Sequence, residues 1–164
     1  MCCSGSVATE RVDIRRARPD EADLLTGLTL RSKAHWGYDR EFMGAARAEL
    51  AFRPEKYPGF EVYVLERGGR VVGYCSLIPQ SGHEVVLDDL FVEPDAIGQG
   101  YGKVLWDHAV RRARELGFEE MMLIADPNAE PFYRSRGAEK VGEVASAVMP
   151  DRVLPLMRYR LTSG

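Results

Sequence analysis

Val12 and Ile14 alternate with Asp13 and Arg15, a period of two that predicts a half-buried strand near residues 11 to 17. Pro19 and Asp20 then open a helical stretch in which Leu24, Leu25 and Leu28 recur on one face, ending near His35. Trp36, Gly37 and Tyr38 interrupt the period, and Asp39 is placed to cap a second helix carrying Phe42, Met43, Ala46 and Leu50 on one side. Phe60 to Glu66 and Val71 to Ile78 are rich in Val and Tyr. The glycine pair Gly68-Gly69 between them predicts a tight hairpin. A long strand follows from His83 to Val92. After it comes a helix near 100 to 116, with Val104, Leu105, Ala109 and Leu116 expected inward, Arg111, Arg112 and Arg114 outward, and Gly117 as its C-cap. Met121 to Ala125 reads as a strand, Pro131 to Arg136 as a short helix, and 140 to 147 and 154 to 161 as closing strands. The pattern therefore predicts an α+β fold: one mixed, mostly antiparallel central sheet flanked by helices. No linker or repeat divides 11–164, and 1–10 is expected to be a flexible start.

With 164 residues the chain has the size of one domain, and its 45% hydrophobic and 29% charged composition is that of a chain that folds. A net charge of -3 leaves no global positive field for a nucleic acid backbone. No apolar run approaches the roughly 18 to 20 residues that cross a bilayer, and Met1 to Glu10 lacks both a basic start and an apolar centre. The expectation is a cytoplasmic protein without nucleic acid or membrane partners. The dominance of arginine over lysine suggests a bacterial, GC-rich genome. Cys2, Cys3 and Cys75 make no disulfide framework, and His35, His83 and His108 stand singly, so no metal is expected. Cys75, in an apolar strand, reads as buried rather than nucleophilic.

Chemistry concentrates where the long strand, ending in Leu90-Phe91-Val92, runs into Gly98-Gln99-Gly100-Tyr101-Gly102-Lys103 and then a helix. Glycines that let the backbone approach a ligand, followed by the unpaired N–H groups of a helix start, suit a pyrophosphate. A Walker A loop is excluded because Ile97 and Val104 occupy its Gly and hydroxyl positions. A dinucleotide fingerprint is excluded because Lys103 and Leu105 replace its third Gly.

The segment resembles instead the acyl-CoA motif of the GCN5-related N-acetyltransferase (GNAT) superfamily through Gly100-Tyr101-Gly102, departing from it at Ile97. A second stretch, Asp126 to Tyr133 followed by Gly137-Ala138, is similar to that family's later signature, with Asp126 where the family has Asn and Asn128 two residues on. The resemblance implies acetyl-CoA as co-substrate and transfer of its acetyl group to the primary amine of a small molecule, directly in a ternary complex. It implies cofactor contacts from Leu90, Phe91, Val92, Gly98, Gln99, Gly100, Tyr101, Gly102, Lys103, Asp126 and Asn128. Tyr133 matches the family's general acid, with a packed aromatic as the alternative. The backbone N–H of Leu90 matches its oxyanion donor. Asp88 matches the carboxylate of polyamine acetyltransferases, and Glu84 is the second candidate base. Strand alternation puts Glu84 and Asp88 on one face and Asp89 on the other, unless a bulge shifts the phase. His35, Trp36 and Tyr38 fall where the family builds a substrate wall. Acyl-CoA binding without turnover, acetylation of a protein amine, and a homodimer are the alternatives carried alongside.

Overall fold

A computed structural model describes residues 11–162 except Ser81; the flexible start expected for 1–10 lies outside them. In chain order the elements are β1 (Val12–Arg16), α1 (Ala22–Ala34), α2 (Arg40–Glu49), β2 (Val62–Arg67), β3 (Arg70–Pro79) and β4 (Glu84–Val92). They continue with α3 (Tyr101–Glu115), β5 (Glu120–Ile124), α4 (Glu130–Ser135), β6 (Glu139–Ala145) and β7 (Val153–Arg160). The strands form one sheet in the order β1-β2-β3-β4-β5-β7-β6. Every pairing is antiparallel except β4 with β5. This is the mixed α+β sheet that the pattern predicts, and the hairpin turns on Gly68 and Gly69, both at positive φ.

Both faces of the sheet centre are covered, so β2 and β3 read as nearly continuous apolar runs. On one face Leu25 and Leu28 of α1 pack with Val62, Val64 and Tyr74. On the other, Leu105, Ala109 and Ala113 of α3 pack with Leu65, Val72, Leu87 and Met121. Gly73 lies directly under α3: a Cβ there would sit 3.0 Å from Leu105 Cδ1 and from the Phe91 carbonyl. Asp39 caps α2 by accepting from the Phe42 N–H at 2.8 Å.

Two expectations need correction. Leu24, Val104 and Leu116 are exposed, because the stripes of α1 and α3 that meet the sheet are narrower than their apolar content. Arg112 is not a solvated helix residue: it grips the buried Glu61 carboxylate with Nε at 2.7 Å and Nη2 at 3.0 Å. Arg114 is exposed, as expected, and also donates to the Leu161 carbonyl at 2.8 Å, tying α3 to the segment after β7.

Candidate active site

β4 and β5 pair only over Glu84–Val86 and Glu120–Met122, and beyond that β4 stays with β3 while β5 stays with β7. The sheet therefore opens into a wedge at the C-terminal ends of two parallel strands. Glu93 N–H donates to the Val72 carbonyl on β3, so strand alternation turns the N–H groups of Leu90 and Val92 the other way, into the wedge. A cleft of about 700 Å³ occupies this opening, lined in part by Leu90, Phe91 and Val92.

At one end of the cleft lies the start of α3. Gly98 and Gly100 both hold positive φ, +87° and +85°, which lets the chain turn sharply from the end of β4 into the helix. The first helical bond is Val104 N–H to the Gly100 carbonyl, leaving the N–H groups of Gly100 to Lys103 without helical partners. Gly102 faces Phe132 of α4, where an added Cβ would lie 3.4 Å from the ring. Gly98, Gly100, Tyr101, Gly102 and Lys103 line the cleft. Gln99 instead engages Arg67 at 2.8 Å and the Asp95 carbonyl at 3.2 Å. The N–H groups of this first turn, without i→i−4 helical partners, and the positive end of a 15-residue helix fit a polyanion such as a pyrophosphate.

Deeper in the cleft the register of β4 against β3 slips: Ser76 faces Asp89 while Leu77 faces Leu87, leaving Asp88 as an unpaired bulge residue. The strand-face expectation is corrected here, since the bulge brings both Asp88 and Asp89 to the cleft. Asp88 Oδ2 is 2.9 Å from Lys56 Nζ. Asp89 Oδ2 accepts from the Tyr57 hydroxyl at 2.5 Å and from the Ser76 hydroxyl at 2.6 Å. Burial, reinforced by the charge of Asp88, pushes the Asp89 carboxyl up to about 6. Glu84 sits four residues earlier, about 13 Å along the strand. It faces Glu120 at the closed part of the wedge and does not line the cleft.

Tyr133 lines the cleft from α4, buried between Trp106 and Phe132, with ring centroids 5.8 and 5.2 Å away. Burial, with the charge of Asp89 behind it, holds its phenol well above the ordinary value, so it is a proton-bearing group at every working pH.

The Asp126 carboxylate is the hub of a further cluster. Its Oδ2 takes Lys33 Nζ at 2.6 Å and the Tyr38 hydroxyl at 2.7 Å. Its Oδ1 takes the Asn128 N–H at 2.8 Å and the Asn128 side-chain amide at 3.0 Å. Arg152, from the β6–β7 loop, bonds the Tyr38 hydroxyl and lies over the Tyr38 and Phe42 rings at 4.7 and 5.4 Å. Burial alone would raise the Asp126 carboxyl, but Lys33 and the hydroxyl of Tyr38 hold it below the ordinary value. The cluster ties α1, the α1–α2 link and the β6–β7 loop to the end of β5.

Trp36 is exposed and lines the cleft; Tyr38 reaches the site through Asp126, and exposed His35 packs edge-on against Trp36 without lining it. The sequence reading missed Lys33, Lys56, Tyr57, Ser76 and Arg152. Tyr57 and Arg152 lie in connections with no periodicity, and Lys33 carries a helix pattern indistinguishable from a solvated lysine. Cys75 is fully buried, its thiol pushed up to about 12 by burial and by the charge of Asp89, so it is no nucleophile. Among the described residues no group of His, Cys, Asp and Glu is arranged to hold a metal, and no helix is long and apolar enough to cross a membrane.

The family model of the acetyltransferase (GNAT) family matches residues 29–138. Among curated proteins, the mycothiol acetyltransferase of Pseudarthrobacter chlorophenolicus is 28% identical over 117 residues, 65% of this chain and 36% of the relative. An uncharacterized N-acetyltransferase, ycf52 of Porphyra purpurea, is 29% identical over 68 residues, 42% of this chain and 39% of the relative. The matches thus span about two fifths of these relatives' lengths. Among solved structures, a GCN5-related N-acetyltransferase from Rhodopseudomonas palustris superposes with a TM-score of 0.73 at 20% identity, covering 95% of this chain and 99% of that one. The PaiA N-acetyltransferase of Thermoplasma acidophilum, solved with coenzyme A, gives 0.72 at 15% identity over 92% and 99%. At these identities the structures establish a shared fold.

Proposed function

The chain belongs to the GNAT acetyltransferase family, and from that premise we propose that it transfers an acetyl group from acetyl-CoA to the primary amine of a small molecule, by direct attack in a ternary complex. The observation that carries this reading is the meeting, in one wedge, of a helix start with no side-chain cap, two carboxylates and a buried phenol. The N–H groups of Gly100 to Lys103 would hold the pyrophosphate, and the N–H groups of Leu90 and Val92 would hold the arm that runs into the wedge. Acetyl-CoA, when bound, supplies an activated acetyl thioester. The Leu90 N–H is placed for negative charge developing on the acetyl oxygen. Asp88 takes the proton of the incoming ammonium, and Tyr133 gives one to the departing sulfur.

A small acceptor is favoured over a protein chain by the tie between Tyr38 and Arg152, which joins the α1–α2 link to the β6–β7 loop beside the cleft. The apolar wall of Trp36, Phe42, Leu50 and Phe52 suits an amine with a hydrophobic body. Asp88 and Asp89 add local negative potential that favours a cation. The test is thiol release from acetyl-CoA across a panel of aryl- and alkylamines, amino acids and peptides. Turnover confined to small cationic amines is expected; turnover confined to peptides, or to anionic acceptors, overturns the acceptor assignment.

A further inference from the structure

The bulge at Asp88 brings two carboxylates to a single hydroxyl. Tyr57, from the connection between α2 and β2, places its Oη 2.5 Å from Asp89 Oδ2 and 3.2 Å from Asp88 Oδ2. Its ring is fixed by stacking on Phe52 at 4.9 Å, and the residue is buried. One hydroxyl carries one proton. Given to Asp89 at the shorter distance, it leaves the Tyr57 oxygen able to accept from Asp88 whenever Asp88 is protonated. Lys56 Nζ lies 2.9 Å from the same Asp88 oxygen, Oδ2. Ser76 places a second donor on Asp89 Oδ2.

We propose that Asp88, Tyr57 and Asp89 act as one proton-accepting unit: Asp88 receives the acceptor's proton and Tyr57 relays it to Asp89. This rests on the reading of Asp88 as the base. The balance is simple. The ammonium N–H bond breaks and the nitrogen keeps its electron pair. Asp88 gains the proton and passes it to Tyr57 Oη as Tyr57 gives its own to Asp89 Oδ2. Asp88 is again a carboxylate, Tyr57 is again a neutral phenol, and Asp89 is a carboxylic acid. The reverse route returns the proton to water through Asp88 after the product leaves. Tyr57 and Asp89 are positioning and relay residues, and only Asp88 meets the acceptor.

The surroundings of Asp89 suit a group that changes charge. Facing it or within electrostatic reach are Lys56 and Tyr57 from the α2–β2 connection, Tyr74, Cys75 and Ser76 from β3, Tyr133 from α4 and Asp88 on its own strand. Lys56 is the one cation of that set; it pairs with Asp88 and draws the Asp89 carboxyl down only weakly against burial and the charge of Asp88. A carboxyl pushed up to about 6 by burial and by Asp88 accepts a proton near neutral pH, as a relay terminus must.

The test is a pH titration of the aspartate carboxyl carbons by NMR in the full chain, with no ligand. The unit predicts that the Asp88 and Asp89 signals each titrate in two steps with shared midpoints, and that Tyr57→Phe shifts both midpoints while the repulsion between the two charges keeps the curves coupled. Ser76→Ala, which leaves the relay oxygens in place, should move the midpoints of both signals together. Independent single-step curves that Tyr57→Phe leaves unchanged overturn the proposal. With any amine the wild type acetylates, Tyr57→Phe should lower kcat at least tenfold and move the acidic limb of its pH profile with little change in KM. An unmoved limb overturns the relay. Should Asp88→Asn retain full turnover while the wild-type Asp88 and Asp89 signals are coupled, it is the base assignment that fails and not the coupling of the pair.

Discussion

Lys33 Nζ lies 2.6 Å from Asp126 Oδ2, joining the last turn of α1 to the loop just after β5 across 93 positions of sequence. Both side chains are nearly buried, 14% and 11% exposed, and Arg152 Nη2 stands 3.7 Å from the same oxygen. The carboxylate thus keeps two cations together beside the cleft.

Replacing that charge is predicted to be costly. Asp126→Asn leaves Lys33 and Arg152 adjacent without a counterion and should destabilise the fold by about 2 kcal/mol at pH 7. Lys33→Met added to Asp126→Asn should restore part of the loss, read by denaturant melts in a double-mutant cycle. Because the folded-state carboxyl is held below its ordinary value, the stability it contributes is present above about pH 4 and lost as pH falls through the lower folded value. Wild type and Asp126→Asn should therefore converge in acid; a constant difference from pH 7 to pH 3 contradicts the account.

Asp89 has the opposite sign. Its folded-state carboxyl stands near 6, above the unfolded value near 4, so the folded state binds the extra proton and stability falls as pH rises between those limits. The melting temperature of Asp89→Asn relative to wild type should grow more favourable from about pH 4 to pH 6 and level off above it. A flat difference would mean that burial does not penalise the Asp89 charge.

Much of this was legible in the chain. Alternation in Val12 to Arg15, the Gly68-Gly69 turn and the caps at Asp39 and Gly117 are local signals, and they recover the order of elements and the hairpin. The glycine turn at Gly98 to Gly102 was legible too, because it depends on backbone freedom more than on partners. What resisted reading depends on tertiary placement. The phase of Asp88 and Asp89 is set by a slip against Ser76, and that slip leaves no mark on the periodicity of β4. Tyr57, Lys33 and Arg152 become site residues only through contacts spanning 32, 93 and 114 positions. Asp126 reads in sequence as a departure from the family's Asn. In the structure it is a charge that Lys33 and Arg152 compensate.

Acetyl-CoA should stabilise the fold, since a ligand bound only to the native state adds about 2.7 kcal/mol at a hundredfold excess over Kd. Gly100→Val should abolish the resulting upward melt shift. A β-branched residue is strained at φ +85°, and its side chain would project where the backbone must approach the ligand. A folded variant with an unaltered shift would reduce the turn to a helix start.

Tyr133→Phe keeps the ring between Trp106 and Phe132 and removes only the hydroxyl. Folding and the acetyl-CoA melt shift should persist while kcat falls about a hundredfold or more at neutral pH, with a smaller loss at high pH, where the thiolate leaves less assisted. Activity within twofold of wild type at every pH would leave Tyr133 a packing residue.

The most direct measurement of the central claim follows both products at once. Purified protein is mixed with acetyl-CoA and a small cationic amine, and free thiol and N-acetylated amine are quantified against time by absorbance and mass spectrometry. Direct transfer in the wedge predicts that the two appear together in a one-to-one ratio, that release depends on the amine, and that no acetyl group is found on the protein. Tight acetyl-CoA binding with no amine-dependent thiol release across the whole panel, or thiol release that outruns the acetylated amine through an acetylated protein, contradicts it.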